Sequence, residues 1–345
     1  MIKKSCESST ASYHGIDLIK FLCAFLVVSI HVAPFSEGHF QNAQLLNFLY
    51  AKVFARIAVP FYFTASGFFL FRGMDRRSID MERIGKYCWK LLRMYALWSL
   101  LLFTGKDMHL WYLKATVVAV IFVGLCFRWC RRDLLIGLLA LGLYGLGISG
   151  DAYYWYRGPF HGLPLTDFLT GMYVHFFDTT RNGFFMGVPF VLMGALLSRK
   201  PLKLRAGLAA LGFVCSLAAL FLEAHFLESR GICEDYNMYL MLLPTNFFLF
   251  VLALNLNLKD RPGYQKLREI GALIYYLHML VFTVLEFLFR PGVESSTGEL
   301  FPFAYPLTAV VTFLAAVGIH WLSRREKLGW LQYLYRLRKN RRCFT

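Results

Sequence analysis

Apolar runs long enough to cross a lipid bilayer recur along the whole chain, and they constrain its fold more than any single motif does. A bilayer's hydrocarbon core is about 30 Å thick and takes a helix of about 20 apolar residues to cross it. Hydrophobic residues make up 57% of the 345 residues and charged residues only 17%, against about 25% in a soluble domain. The sequence therefore predicts an all-α, polytopic transmembrane helical bundle.

Ten segments are apolar enough to be membrane spans. The predicted spans are 16–34, 53–71, 87–103, 110–127, 133–150, 183–198, 204–222, 238–256, 270–289 and 304–322. They form one integral-membrane domain over residues 1–345, with a short basic tail at 323–345. We expect the first span to be retained rather than cleaved, because a long apolar run containing His31 follows the polar N-terminus instead of a small-residue cleavage site.

The distribution of Lys and Arg predicts the orientation of these spans. With both termini cytoplasmic, the cytoplasmic segments hold 26 of these residues and the opposite connections hold 6. Positive charge concentrates on the cytoplasmic side of membrane proteins. The net charge of +16 is thus a topology signal, and we expect the lipid bilayer rather than a nucleic acid as the partner. The cysteine pattern predicts no disulfide between outer loops and no metal site.

The first span carries polar groups along one stripe. His31 lies eleven positions after Lys20, which returns it to within about 20° of the same helix face, about 16 Å further along. Asp17 lies one turn below Lys20 on that face. An ionisable group inside a span costs free energy and is a functional-site hypothesis by default. The alternatives are a histidine that serves packing alone and a simple ion pair at the start of the helix.

Two further ionisable residues lie at the outer depth of other spans. Arg56 precedes the second span's Pro60, and Glu286 lies in the ninth span, eight residues beyond His278. Arg56 either belongs to a site with His31 or extends to the outer interface. Glu286 is a candidate to orient His31 or to neutralise Arg56. The aromatic outer connection 151–182 either forms an interfacial belt or stacks on sugar rings.

Several motifs together resemble the integral-membrane acyltransferase-3 family. They are Asp17-x2-Lys20-x10-His31, Arg56-x-Ala-Val-Pro-Phe-Tyr-Phe-x3-Gly67-Phe, His109-Leu-Trp111-Tyr-Leu, Arg181-Asn-Gly-Phe-Phe and Ile274-Tyr-Tyr-Leu-His278. Within the family, the sequence of these segments is similar to the membrane portion of VanT-type serine racemases. The family's usual arginine eleven residues before the histidine is Lys20 here, and the basic segment after the second span lacks its usual proline.

The resemblance implies acyl transfer from a cytoplasmic acyl-CoA, typically acetyl-CoA, to a hydroxyl of a carbohydrate or cell-envelope component outside the membrane. It implies His31 as the essential histidine, which we expect to act as general base because neutral imidazole accepts protons near pH 7. Arg56 and Glu286 complete the expected catalytic set. Asp17, Lys20, Arg83 and Arg93 are the expected contacts of the acyl-CoA.

A transporter, or a protein that delivers a small polar molecule such as an amino acid, is the alternative function. Internal repeats and matched broken helices would favour a transporter, and the two halves of the chain show no convincing repeat. The acyltransferase is therefore the preferred hypothesis, in a bacterial cytoplasmic membrane. The sequence leaves the acceptor, the acyl length and the oligomeric state open.

Overall fold

The structure is a computed structural model that describes residues 13–35, 41–74, 79–102, 107–154, 162–164, 177, 179–199, 202, 204–256, 258–289 and 303–335. Within those residues the chain is helical and contains no strand. The main helices are α1 His14–His31, α2 Ala43–Phe71, α3 Met81–Leu101, α4 Trp111–Trp129, α5 Asp133–Ser149, α6 Gly183–Arg199, α7 Ala206–Ser229, α8 Leu242–Asn255, α9 Gly263–Phe289 and α10 Ala304–Leu322.

Each predicted span coincides with one of these helices, so the all-α prediction is confirmed. In the part of the chain that the structure describes, six helices are long and apolar enough to cross a membrane, namely α1, α2, α4, α7, α9 and α10. Helices α5, α6 and α8 are apolar but shorter, and α3 is long but carries Glu82, Arg83, Lys86, Lys90 and Arg93. The number of spans and the side on which the termini lie stay predictions.

Helix α1 lies at the centre of the bundle, in contact with α2, α8, α9 and α10. Its inward stripe includes Ile16, Cys23, Ala24 and Val28, which are almost fully buried. The charged stripe predicted for this helix therefore faces other helices rather than lipid.

Helices α2 and α6 cross without space for a side chain at either glycine of the contact. A Cβ atom added at Gly194 would lie 1.9 Å from the Thr64 carbonyl oxygen, and one at Gly67 would lie 2.0 Å from that of Val191. Small residues permit this close backbone approach between membrane helices. The crossing fixes α2, which carries Arg56, against α6.

Large apolar side chains cover the outer surface of the bundle. Leu134, Leu138 and Leu141 on α5 and Leu222 on α7 are more than half exposed. A soluble protein rarely exposes so contiguous an apolar surface, whereas lipid tails accept it. The exposed leucines are thus consistent with a bundle surrounded by a bilayer.

Two helices begin with irregular turns that matter for the site. Helix α2 passes through a π-helical stretch at Phe48–Val53 and a 3₁₀ stretch at Phe54–Ile57, and α6 starts with a π-helical turn at Gly183–Gly187. Such turns are frequent at functional sites because they redirect side chains. The first places Arg56, and the second places Met186, beside the same pocket.

The chain after α10 folds back against the bundle. The segment Glu326–Leu334 is 3₁₀-helical, the Trp98 indole donates to the Leu334 carbonyl at 3.0 Å, and the Ser323 and Tyr335 hydroxyls are 2.7 Å apart. The described part of the basic tail thus packs on the protein, and Tyr335 lines a cavity of the bundle.

A candidate active site between two cavities

Three imidazole rings from three helical segments meet near the end of α1. His31 ends α1, His109 lies in the 3₁₀ turn before α4, and His278 lies in α9. The ring centroids of His31 and His278 are 5.3 Å apart, and those of His109 and His278 are 4.9 Å apart. Among the described residues no group of three His, Cys, Asp or Glu is placed to hold a metal ion. Imidazole accepts and donates protons near neutral pH, so the chemistry of the cluster suits proton transfer.

Hydrogen bonding fixes the tautomer of His278. Its Nδ1 lies 2.8 Å from the Tyr275 carbonyl oxygen and 3.2 Å from that of Ile274. Carbonyl oxygens only accept, so Nδ1 carries the proton and Nε2 is the unprotonated nitrogen of the neutral ring. Nε2 is buried without a hydrogen-bond partner among the described residues. A basic lone pair is thus available inside the histidine cluster.

His31 opens onto a small pocket that we call the outer pocket. Its volume is about 40 Å³, and it is lined by Val27, Ile30, His31, Arg56, Val59, His109, Trp111, Tyr112, Arg181, Met186, Asn237 and Tyr275. Two guanidinium groups and two imidazoles therefore share one small space. Positively charged groups beside a base stabilise negative charge that develops during a reaction.

Arg56 is held in this pocket by a chain of hydrogen bonds. Its Nη1 donates to the Asn237 side-chain oxygen at 2.5 Å. The Asn237 and Met238 backbone N–H groups donate to Asp151 Oδ1 at 2.9 and 3.1 Å, and the Thr180 hydroxyl donates to Oδ2 at 2.7 Å. Arg56 is thus turned into the protein instead of reaching the interface, and Asp151 anchors the loop that orients it.

The environment of Asp151 also perturbs its acidity. Burial raises the pKa of this carboxyl to about 6 and the nearby Asp235 carboxylate adds to the rise, while the hydrogen bonds from Thr180, Asn237 and Met238 oppose it. A carboxyl without full solvation favours its neutral form. The anchor of Arg56 therefore changes charge close to neutral pH.

A larger cavity, the inner cavity, lies toward the start of α1. It has a volume of about 480 Å³, and its lining includes Asp17, Lys20, Lys90, Arg268 and Glu269 together with several tyrosines. Three basic side chains at one cavity suit the phosphates of a nucleotide-bearing donor. The size is within the range typical of small-molecule sites.

Asp17 and Lys20 both line the inner cavity, but they do not form the simple helix-start pair weighed from the sequence. Arg268 instead binds Asp17 through two contacts, from Nε to Oδ1 at 2.9 Å and from Nη2 to Oδ2 at 3.0 Å. The Lys20 ammonium lies 5.8 Å from the centre of the Tyr62 ring, and the Tyr62 hydroxyl donates to the Lys20 carbonyl at 2.6 Å.

Tyr112 and Tyr275 separate the two cavities and line both of them. Their ring centroids are 6.0 Å apart at an interplanar angle of 74°. The Tyr275 hydroxyl donates to the His109 carbonyl at 2.7 Å, and the Tyr112 hydroxyl lies 3.1 Å from Ser66 Oγ. We call this pair the tyrosine neck. It borders both the cavity lined by Lys20 and the pocket lined by His31.

Three predicted site residues lie apart from this arrangement. The Arg83 guanidinium donates to the Phe69 and Arg72 carbonyl oxygens at the end of α2, and Arg93 is on the exposed side of α3. Glu286 is half-buried further along α9 and is absent from the described lining of both cavities. The structure thus groups His31 with Arg56 and groups Asp17 with Lys20, while the roles proposed for the other three stay predictions.

Other residues join the site that sequence reasoning did not assign to it. Lys90 and Arg268 enter the inner cavity, and Arg181, Asn237 and His109 enter the outer pocket. The only signal for His109 and Arg181 was their place in motifs of the family resemblance. Asn237 and Arg268 carried no signal, because their proximity to α1 and α2 depends on how distant helices pack.

The described architecture is that of a multi-pass helical membrane protein. The family model described as "Acyltransferase domain" matches residues 13–323. The chain belongs to this family, acyltransferase-3, and the resemblance seen in its motifs is confirmed.

Relatives of the chain include racemases of enterococci. The chain is 26% identical to a serine/alanine racemase of Enterococcus gallinarum over 92% of this chain and 47% of that protein. It is 28% identical to an amino-acid racemase of Enterococcus faecalis over 73% of this chain and 37% of that protein. The chain thus spans less than half the length of these relatives. No solved structure matches it significantly.

Proposed function

We propose that this protein transfers a short acyl group from acyl-CoA, bound in the inner cavity, to a hydroxyl group that enters the outer pocket. The acceptor is a carbohydrate or another cell-envelope component, and the membrane is the bacterial cytoplasmic membrane. The inner cavity faces the cytoplasm, in line with the positive-inside prediction for the start of α1.

One observation carries the proposal. His31 lines the outer pocket together with Arg56 and Arg181, and this pocket shares Tyr112 and Tyr275 with the basic inner cavity of about 480 Å³. A donor with phosphates at one end and a reactive thioester at the other matches this order of groups. Membership of the acyltransferase family supports the same reaction class.

The chemistry assigns one step to each group. His31 takes the proton of the acceptor hydroxyl while the oxygen attacks the thioester carbonyl carbon, so that a C–O bond forms. Arg56 lies in the same pocket and stabilises the negative charge that develops on the carbonyl oxygen. The C–S bond then breaks, and the leaving thiolate takes the proton back from His31. Acyl group, proton and electron pairs are thereby balanced without a further reactant.

His278 and Lys20 support this step from opposite sides. The unprotonated Nε2 of His278 is available to accept a hydrogen bond from an N–H group of the histidine cluster. Such a bond would set the orientation of His31. Lys20, Lys90 and Arg268 supply positive charge to the phosphate end of the donor. Lys20 acts there as a compact charge and lacks the planar fork of the arginine usual in the family.

The alternative is delivery of a small polar molecule such as an amino acid through the same two cavities. The names of the relatives favour this delivery function, because racemases act on amino acids. The two functions differ in the ligand that the inner cavity binds.

Thermal unfolding in detergent separates them. We expect acetyl-CoA to raise the unfolding temperature of the wild type and of His31→Ala, and to have a much smaller effect on Lys20→Ala. A ligand that binds only the folded state stabilises it by about 2.7 kcal/mol at a hundredfold excess over its Kd. Lys20→Arg should keep the shift, since it restores the family's usual residue.

An assay of acyl transfer to cell-envelope material then tests the assignment of His31 as the base. We expect His31→Ala to bind acetyl-CoA but to lose acyl transfer. The absence of any shift with acetyl-CoA, combined with a shift by L-serine or L-alanine, would replace the acyltransferase by the delivery function. Transfer that survives in His31→Ala would reject His31 as the base.

A further inference from the structure

We infer that the acceptor is an acidic carbohydrate, and that Arg181 binds its carboxylate or phosphate group while a hydroxyl of the same molecule lies beside His31. The inference rests on the proposed function and deepens it, because it gives the chemical class of the acceptor, which the sequence left open. Its basis is the balance of charge in the outer pocket.

The outer pocket holds more positive charge than the proposed reaction uses. The guanidinium groups of Arg56 and Arg181 both line it, and no acidic side chain is among the described residues of its lining. The inner cavity differs, because Asp17 and Glu269 lie among its basic side chains. The transferred carbonyl develops one negative charge, which Arg56 stabilises in the proposed reaction. The Arg181 guanidinium is therefore left for a second anion.

Neither guanidinium is fully paired within the described part of the chain. Arg56 donates through Nη1 to the neutral side chain of Asn237, and its buried Nε has no hydrogen-bond partner there. The Arg181 Nε is also buried without such a partner, because its ion-pair partner Asp235 Oδ2 lies 3.7 Å away, beyond hydrogen-bond distance. Burying a charged group with incomplete pairing costs free energy. An anionic ligand in the pocket recovers part of this cost.

The position of Arg181 suits an acceptor that arrives from outside the bundle. Arg181 lies directly before α6, where the Asn182 side chain caps the helix by accepting the backbone N–H groups of Phe184 and Phe185. The cap fixes the backbone next to Arg181, whose side chain is 35% exposed and so can be reached by a solute. The pocket is partly open. Only the edge of the acceptor that carries the hydroxyl and the anionic group therefore has to enter.

The chemistry of arginine favours an oxyanion over a neutral sugar. Its planar guanidinium presents paired N–H groups that match two oxygens of a carboxylate or a phosphate. A sugar hydroxyl accepts a hydrogen bond from the same group but without the added attraction of opposite charge. An acidic group close to the reacting hydroxyl therefore increases affinity and holds that hydroxyl in the pocket that His31 lines.

The test compares acidic and neutral sugars by binding, so that no transfer reaction is needed. Thermal shifts of the full chain in an uncharged detergent give apparent affinities for glucuronate, glucose-1-phosphate and glucose, with sodium chloride added to equalise the ionic strength. We expect at least one acidic sugar to bind about tenfold more tightly than glucose, as is typical of one hydrogen-bonded interaction with a charged group. The two acidic sugars show whether the site prefers a carboxylate or a phosphate.

Variants of Arg181 then assign the preference to this residue. Arg181→Gln should abolish the preference for acidic sugars, and Arg181→Lys should retain part of it, because lysine keeps the charge but not the planar fork. The matched control is Arg230→Gln, since Arg230 is an exposed arginine outside the described linings of both cavities. It should keep the wild-type preference.

Asp235→Asn should act in the opposite direction. It removes the carboxylate that competes for the Arg181 guanidinium, so acidic sugars should bind about two- to threefold more tightly than they bind to the wild type. The effect is small because both side chains of this pair are more than a third exposed or close to it. Unchanged or weaker binding of the acidic sugars in Asp235→Asn would count against Arg181 as their site.

The outcomes separate this inference from the proposed function. Equal affinities of the wild type for the acidic and neutral sugars, the absence of any shift included, would overturn the acidic acceptor, and so would a preference that persists in Arg181→Gln. Either result leaves the acyltransferase intact if acetyl-CoA still raises the unfolding temperature. A wild type that prefers acidic sugars but gains no stability from acetyl-CoA would instead overturn the proposed acyl transfer, while binding of the anion to Arg181 stands.

Discussion

The carboxylate of Asp17 and the guanidinium of Arg268 form a two-pronged ion pair across 251 positions of the chain. The Asp17 side chain is 6% exposed and that of Arg268 is 56% exposed. The pair joins the start of α1 to the start of α9 and forms part of the wall of the inner cavity. It also brings an arginine to the cavity in which the family's usual arginine is replaced by Lys20.

We predict that Arg268→Ala destabilises the protein by about 1–3 kcal/mol, since it leaves the buried Asp17 carboxylate without its partner. The solvent exposure of Arg268 keeps the value below that of a fully buried pair. Arg268→Lys retains the charge and should lose less. Chemical unfolding in detergent measures both variants.

The double variant Asp17→Asn, Arg268→Ala provides the control for this pair. It should recover part of the stability lost in Arg268→Ala, because the unpaired charge is gone. If the two single losses simply add in the double variant, the pair has no coupling energy and the prediction is wrong.

We predict that His278→Phe lowers the acyl-transfer rate by about 10²-fold while leaving acetyl-CoA binding unchanged. Phenylalanine fills the space of the ring but removes the Nε2 lone pair from the histidine cluster. The measurement is transfer rate beside the thermal shift with acetyl-CoA. The pH profile discriminates further, since a residue that tunes His31 shifts the profile whereas a packing residue lowers it uniformly. A full rate in His278→Phe would contradict the assigned role.

Asp151 predicts a pH dependence of stability. Burial first, and then Asp235, raise the pKa of its carboxyl from an ordinary 3.8 to about 6. The folded protein therefore binds a proton that the unfolded chain does not bind between these two values. The contribution to stability is fully present below about 3.8, and it is lost as the pH rises through about 6.

We accordingly expect the wild type to gain stability relative to Asp151→Asn when the pH is lowered from 7.5 to 5. Unfolding temperatures of both proteins over this range measure the difference. Asparagine keeps the size of the side chain and one acceptor oxygen for the donors from Thr180, Asn237 and Met238. A difference that does not change with pH would show that Asp151 does not titrate in this range.

The crossing of α2 and α6 predicts a strong effect from one methyl group. Gly194→Ala places a Cβ where the Thr64 carbonyl oxygen lies 1.9 Å away, so the helices have to separate. We expect a loss of about 1–3 kcal/mol, as is typical of overpacking. Gly137→Ala on α5 is the matched control, because a Cβ there has nothing within 4 Å. It should be neutral or slightly stabilising, and an equal loss in both variants would contradict the argument.

Much of the fold could be predicted because its signals are local. A helix that crosses lipid satisfies its backbone hydrogen bonds within its own segment. The predicted spans 16–34 and 304–322 therefore correspond closely to α1 His14–His31 and α10 Ala304–Leu322. The stripe of Asp17, Lys20 and His31 was visible for the same reason, since helical spacing alone places these residues on one face.

Local signals do not reveal which residues become neighbours in space. Arg83 and Arg93 are predicted contacts of the donor, and the structure places the Arg83 guanidinium against carbonyl oxygens at the end of α2. Their role at the donor stays a prediction. Lys90 lies seven residues, or about two helical turns, after Arg83 in α3 and lines the inner cavity. The basic residues of α3 are alike in the sequence, and only the packing of α3 against other helices shows which of them face the cavity.

The sequence by itself determined that this is a helical membrane protein of the acyltransferase-3 family with a histidine near the end of its first span. Hydropathy, helical period and motif spacing are all properties of neighbouring residues. Only the tertiary structure decided that His109 and His278 join His31, that Arg268 pairs with Asp17, and that two tyrosines separate a large cavity from a small one. Those relationships depend on which faces of distant helices pack together. That choice follows from the shape of many side chains at once, including close contacts such as the one at Gly194, and no local pattern encodes it.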